Sequence, residues 1–313
     1  MHRSGTFKLL QALGTDADQQ RALMAVPTQD HQGDEQQMDQ SLSADRRTDA
    51  THLLWTGGWD STFRLLSLAM REHRPVQPYY VLDDVKLRPS VPAERHAMAC
   101  IRDRLERSSP RAAALVLPTV ECTLQQIAPN EDITQQFENS LRSAFIGGQY
   151  EWLARFCAER GIEGLELSIH RDDRARDLLL GLVDASRTRL DRRHAGDPRY
   201  ELFKYFRFPL FDKTKQQMRI EAIAAGFEDL MKLTWFCHRP AHGKPCGRCN
   251  PCIYTIEEGL ADRVPLRGRI RYHLRVLPRL KHWMVSHPEI YLAMRAPYKR
   301  IRSLGHRPSP SHS

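Results

Sequence analysis

Residues 51–62 read THLLWTGGWDST. The apolar run His52–Trp55 has the length of a buried strand and stops at Thr56-Gly57-Gly58. Beyond it, STFRLLSLAMREH places Phe63, Leu66 and Met70 at helical spacing. The stretch is therefore a strand-to-helix turn. Glycines let a backbone approach a bulky anion closely. The turn amides and the helix N-terminus then aim positive dipoles at that anion. Thr56, Ser61 and Thr62 add hydroxyl donors, and together these groups form a phosphate cradle. Asp60 is out of place in an anion site unless it caps the loop amides or holds Mg2+ bridging the phosphates. An ordinary turn, with Gly57 and Gly58 for the bend and Asp60 as cap, is the competing explanation. Neither the Walker spacing nor the dinucleotide fingerprint is present.

Outward from this turn, strands alternate with helices. QPYYVLDD predicts a second strand and PAERHAMACIRDRLERS a second helix. AAALVLPTVE predicts a third strand, GGQYEWLARFCAERG a helix stopped by Gly161, and IEGLELSIH a fourth strand. KYFRFPLF predicts a fifth strand, followed by the helix TKQQMRIEAIAAG. This alternation predicts an α/β fold with a doubly wound parallel sheet, whose ligands sit at the carboxyl ends of the strands.

The chain has 313 residues, 41% of them apolar, enough to bury a sizeable core. No stretch approaches the roughly 20 apolar residues of a membrane-spanning helix. The first residues lack the apolar segment of a secretory signal, so a cytoplasmic protein is expected. Residues 27–50 are rich in Gln and Asp and contain no aromatic residue. They read as a disordered linker after a short amphipathic helix within 1–24. The expected organisation is an extension over 1–50, a folded domain over 51–262 and a basic extension over 263–313.

The net charge of +9 resides in the tail. Residues 266–313 hold eleven Lys+Arg against one acid, and the other 265 residues hold 36 against 37. The tail interleaves these cations with Tyr272, Trp283, Tyr291 and Tyr298, a pattern suited to a nucleic-acid backbone, an anionic membrane surface or an acidic protein. The alternative is a pair of helices packed through Leu274, Leu277, Leu280, Trp283, Ile290 and Leu292.

Seven cysteines are present. Cys100, Cys122 and Cys157 are scattered among apolar neighbours and read as small core residues. Cys237, Cys246, Cys249 and Cys252 follow the spacing C-x8-C-x2-C-x2-C, which suits four thiolates round one tetrahedral Zn2+; disulfides and a catalytic or iron–sulfur role are the alternatives. Gly247 relieves the turn between them.

LLWTGGWDSTFRLL resembles the signature of the PP-loop ATP pyrophosphatases, Ser-Gly-Gly-x-Asp-Ser/Thr after the first strand. The resemblance implies the adenine-nucleotide α-hydrolase-like (HUP) form of the fold, ATP as substrate, attack on the α-phosphate and release of pyrophosphate. Gly57, Gly58, Asp60, Ser61 and Thr62 stand at signature positions, and Thr56 keeps the hydroxyl of the usual Ser. The stretch from Phe206 to Leu260 is similar to the C-terminal half of the 7-cyano-7-deazaguanine synthases. It carries Pro209-Leu210, Lys215, Thr234-Trp235-Phe236-Cys237 and Cys246-Gly247-Arg248-Cys249-Asn250-Pro251-Cys252 in the family's order. That likeness implies that Lys215 binds phosphates and that the cysteines bind zinc. The family makes a nitrile from a carboxylate with ammonia and ATP, so ATP, Mg2+ and Zn2+ are the expected cofactors.

Between the two blocks the sequence departs from the family. The Gly-Tyr-Pro-Asp segment of the substrate pocket is replaced by HRDDRARDLLLGL. Glu94 stands near the family's helix glutamate, and His170, Asp172 and Asp173 lie just past the fourth strand, with Arg171 between them. These residues are the candidate substrate contacts, for a carboxylate or carbonyl acceptor that differs from the family's. Two other functions are weighed. One is a tRNA-modifying, sulfur-inserting adenylyltransferase, for which Cys122 is the candidate thiol. The other is a nucleotide-binding component of a multi-protein system. The partners left open are a small-molecule or macromolecular acceptor, nucleic acid through the tail, and a second copy of the chain.

Overall fold

The computed structural model describes residues 49–84, 87–142 and 146–276. The expected N-terminal helix and linker, and the tail beyond residue 276, lie outside the described residues. Five strands form one all-parallel sheet: β1 (Thr51–Leu54), β2 (Val76–Leu82), β3 (Val120–Thr123), β4 (Leu165–Glu166) and β5 (Phe206–Arg207). Their order is β3-β2-β1-β4-β5, with Thr51 opposite Val76, Leu53 opposite Glu166 and Tyr79 opposite Val120. The chain winds outward from β1 to β3, then returns to β4 on the other side. The switch point therefore lies between β1 and β4, where a Rossmann-like sheet opens a crevice at its carboxyl edge.

Eleven α-helices lie among the described residues. The period of two in β2 assigns them to faces. Tyr80 and Leu82 join a core with Leu53, with Phe63 and Leu66 of α1 (Trp59–Leu66), and with Ile101 and Leu105 of α2 (Val91–Ser108). Met218 of α8 (Lys215–Ala224) and Leu230 of α9 (Glu228–Lys232) complete that side. Tyr79 and Val81 join the opposite core with Ile133 of α4 (Glu131–Leu141), Phe156 of α5 (Gln149–Arg160) and Phe203 of α7 (Pro198–Phe203). A sheet covered on both faces matches the expected doubly wound arrangement.

The third strand begins later than its apolar run predicts. Residues 110–113 form a short helix α3 (Pro110–Ala113), with Pro110 in its first turn, and only Val116 bridges to Val76 before β3 starts at Val120. Proline suits a first helical turn and alanine favours helix, so Pro-Arg-Ala-Ala coils before the chain can extend. α4 occupies a stretch in which no element was expected. Asn130 caps it, accepting from the Ile133 amide at 3.1 Å, and two acids fill its first turn.

α1 is clamped to the centre of the sheet. The buried Arg64 guanidinium meets both Glu166 oxygens of β4, at 2.6 and 2.9 Å, and also pairs with Glu72. The helix that opens the cradle is thereby fixed to the strand across the switch point. Beyond β5, α10 (Asn250–Glu257) begins inside the cysteine cluster, and α11 (Leu266–Val276) packs back on it. Gly247 has φ +67°, and a Cβ there would sit 2.6 Å from the Cα of Gly268. The glycine thus serves both the turn and the close approach of α11.

Candidate functional site

A pocket of about 580 Å3 opens at the carboxyl edge of β1, β2 and β4. Thr56, Gly58, Asp60 and Ser61 line its β1 side, and Val81, Leu82 and Arg88 its β2 side. Tyr150 and Trp152 of α5 and Ser168 and Asp173 after β4 close it. Its size falls in the usual range of small-molecule sites.

The strand-to-helix turn has the tight bend that its glycines suggest. Gly57 has φ +68°, and a Cβ there would lie 2.9 Å from Met98 Cγ and 3.0 Å from the Glu94 carbonyl oxygen. Only glycine lets the loop bend while pressed on α2. Gly58 is the N-cap of α1, and no side chain caps that helix. Its first amides are therefore left for another acceptor. Thr56 and Ser61 hydroxyls face one another at 3.5 Å. Thr62 is fully buried, and its Oγ1 accepts from the Trp55 indole at 3.0 Å, so it braces the turn from behind.

Asp60 is not a cap. Its Oδ1 is buried without a partner among the described residues, and its Oδ2 faces two inner groups. Lys215 Nζ lies 3.4 Å away and His170 Nε2 3.8 Å away. Lys215 opens α8 behind a capping box formed by Thr214 and Gln217. Burial works against its charge, but Asp60 and Glu258 outweigh burial and hold the amine above its ordinary value. Glu258 follows α10 and lies 2.7 Å from Lys215 Nζ and 3.6 Å from His170 Nε2. Burial pushes its carboxyl upward against the pull of Lys215. The Asp172 amide donates to His170 Nδ1 at 3.1 Å. In the neutral ring that bond places the proton on Nε2, facing both carboxylates.

The remaining candidates divide. Asp173 lines the pocket but spends one oxygen on the Ala175 amide, 2.9 Å away, as N-cap of α6 (Arg174–Leu179). Asp172 is exposed. Glu94 is buried, with Tyr80 and Ser90 hydroxyls donating to it at 2.6 and 2.7 Å. Arg88 donates to the same carboxylate at 3.0 Å and itself lines the pocket. Cys122 lies within β3, 2% exposed, and burial raises its thiol pKa against the opposing charge of Arg160. A thiol in that state is a poor nucleophile.

Three site residues escaped the sequence reading: Arg88, Glu258 and Arg263. Arg263 is stacked between the rings of Trp59 and Phe236, at 4.9 and 5.1 Å. Burial lowers its pKa to about 10, so it stays cationic at neutral pH. The spacing of Glu258 and Arg263 from Cys252, six and eleven residues on, is a local signal only once the cluster's position beside the cradle is known.

The four clustered cysteines converge. All four Sγ atoms lie within 4.8 Å of one another, with contacts of 3.8 Å between Cys237 and Cys249 and 3.5 Å between Cys249 and Cys252. The Cys246 amide donates to Cys237 Sγ at 3.2 Å. This group can hold one metal ion. The segment leading into Cys237 touches the turn, because the Trp235 amide donates to the Gly57 carbonyl at 2.9 Å.

Fold and site together define a Rossmann-like α/β chain with a pocket at its switch point and a four-cysteine group beside it. No protein-family model matches the chain, and no curated protein matches it. Among the described residues no helix is long and apolar enough to cross a membrane.

Proposed function

We propose that the protein is an ATP-dependent enzyme that forms AMP and pyrophosphate while activating a carboxylate or carbonyl oxygen, for amide or nitrile formation with ammonia. The observation that carries this reading is an uncapped helix N-terminus with Asp60 in the wall of the switch-point pocket and Lys215 Nζ 3.4 Å from that carboxylate. An uncapped N-terminus and a buried ammonium suit a polyphosphate. The unpartnered Asp60 Oδ1 suits a cation carried in with it, and Mg2+ would supply charge neutralisation across the phosphates.

In this reading the Gly57–Gly58 backbone and the amides of α1 hold the phosphates, and the Thr56 and Ser61 hydroxyls orient them. Lys215 neutralises the departing pyrophosphate. Val81, Leu82 and Val91 offer an apolar slot for the base. Arg88, fixed by Glu94, meets the acceptor carboxylate, so Glu94 positions the substrate through Arg88. Catalysis is then mainly alignment and charge stabilisation at the α-phosphate. The four cysteines would hold Zn2+. A Zn–S bond of about 2.3 Å requires sulfurs about 3.8 Å apart, and three of the pairs lie at 3.5, 3.8 and 4.0 Å, with all four sulfurs within 4.8 Å of one another. Four thiolates leave no open coordination position, so the ion would brace the loop.

The test is AMP release from ATP and Mg2+ with ammonium, 7-carboxy-7-deazaguanine and a panel of other carboxylates. The reading requires acceptor-dependent AMP that is lost in Asp60→Ala. ATP bound without AMP for any acceptor, even with candidate partner proteins added, would reject the enzymatic assignment.

A further inference from the structure

Glu258 is the acid nearest to the ammonium of the cradle, closer to Lys215 Nζ than Asp60 is, at 2.7 Å against 3.4 Å. The contact is an ion pair by distance but falls outside hydrogen-bond alignment. The two side chains are 10% and 14% exposed. Neighbouring structure holds Glu258 from both sides. It ends α10, whose N-cap is Cys249 and whose first turn contains Cys252. The next residue, Gly259, has φ +82°, and a Cβ there would lie 2.0 Å from Gln216 Nε2, beside Lys215 on α8. Glu258 thus sits between the end of α10 and a close approach to α8, and side-chain rotation is the simplest way for its carboxylate to leave Lys215.

The local charges balance before any ligand arrives: Asp60 and Glu258 against Lys215 and Arg263. A cation between the two acids does not explain the arrangement, since the ammonium already occupies that place. A bound polyphosphate would bring further negative charge to the same ammonium. Like charges a few ångströms apart in a partly buried site repel strongly. Glu258 and a phosphate would therefore compete for Lys215.

We propose that Glu258 is the placeholder counter-ion of Lys215, holding the ammonium at the cradle while the site is empty and giving it up to the phosphate oxygens of the incoming nucleotide. This inference rests on the ATP reading above. Glu258 thereby selects against bare anions. A polyphosphate that arrives with its cation displaces the carboxylate, whereas free pyrophosphate must compete with it.

The test compares the full zinc-loaded chain with E258Q and E258D. Calorimetry measures MgATP and metal-free inorganic pyrophosphate. Acylation of Lys215 by an amine-reactive ester, read by peptide mass spectrometry, reports the lysine without any nucleotide. E258Q is expected to bind pyrophosphate at least tenfold more tightly than the parent and to acylate Lys215 several-fold faster, while E258D stays near the parent in both. Parent-like pyrophosphate affinity in a folded E258Q, with MgATP still bound by the parent, overturns the exchange alone. Failure of the parent and E258Q to bind either anion overturns the ATP reading and the exchange with it. Should E258Q not fold, the parent decides: bound MgATP must slow Lys215 acylation more than the same concentration of metal-free pyrophosphate does, and equal rates overturn the proposal.

Discussion

The Trp235 amide donates to the Gly57 carbonyl at 2.9 Å, so the turn that forms the cradle is tied to the segment leading into Cys237. The Trp235 indole in turn donates to the Cys237 carbonyl at 2.7 Å. Residues far apart in sequence are thus joined through Trp235, whose amide meets the turn and whose indole meets Cys237.

Cysteine-to-serine replacement at Cys249 should therefore affect more than metal content. The parent should bind one zinc per chain, measured by elemental analysis, and the variant less than one. Loss of the ion should lower the unfolding midpoint and weaken MgATP binding at least tenfold, because Trp235 no longer anchors Gly57. Unaltered nucleotide affinity in metal-free protein would show that the two sites are independent.

Gly57→Ala places a side chain where φ is +68° and where Met98 and the Glu94 carbonyl leave no room. A strained left-handed residue costs about 1–3 kcal/mol. The expected result in urea is a lower midpoint with unchanged slope. Gly148→Ala is the control, since a Cβ there meets nothing within 4 Å.

Glu166→Ala leaves Arg64 buried without its bidentate partner. Removing one member of a buried pair costs about 3–5 kcal/mol. Equilibrium denaturation should show a loss of this size. Glu166→Gln should recover part of it by keeping one acceptor for the guanidinium.

Asp197 gives a pH signature away from the pocket. The Arg199 side chain, outweighing burial and helped by the Arg199 and Tyr200 amides, holds its carboxyl below the ordinary range. A depressed carboxylate contributes stability that is present above its unfolded value, near 4, and is lost as the pH falls through the lower folded value. Stability measured from about pH 5 down to about pH 2 should therefore fall less steeply in Asp197→Asn than in the parent. Parallel curves would remove Asp197 from the acid response.

The strand-to-helix turn was legible because it is local: Gly57, Gly58, Asp60 and Ser61 adjoin in sequence and fold as one bend. The cysteine cluster was legible for the same reason. Lys215 was not marked by its surroundings, and only the resemblance of its segment singled it out. Glu258 and Arg263 could not be read at all, because an acid after a helix and an arginine in a turn acquire meaning only when α10 returns them to the cradle. Glu94 was selected as a contact, yet its oxygens serve Tyr80, Ser90 and Arg88, and the pocket sees Arg88 instead. The third strand was misplaced because an apolar run carries no sign of where it straightens, while Pro110 marks a helical start. No helix was expected at α4, although Asn130 followed by Glu131 and Asp132 fits ordinary N-terminal capping rules.

The central claim is that the turn at residues 56–62 binds the phosphates of ATP. Calorimetric titration of the full chain with MgATP tests it most directly, beside Asp60→Ala and Lys215→Met. Saturable one-site binding is expected in the parent and at least a tenfold loss in each variant, with all three chains folded by circular dichroism. Absence of binding in the folded, zinc-loaded parent, or equal binding in all three, would contradict it.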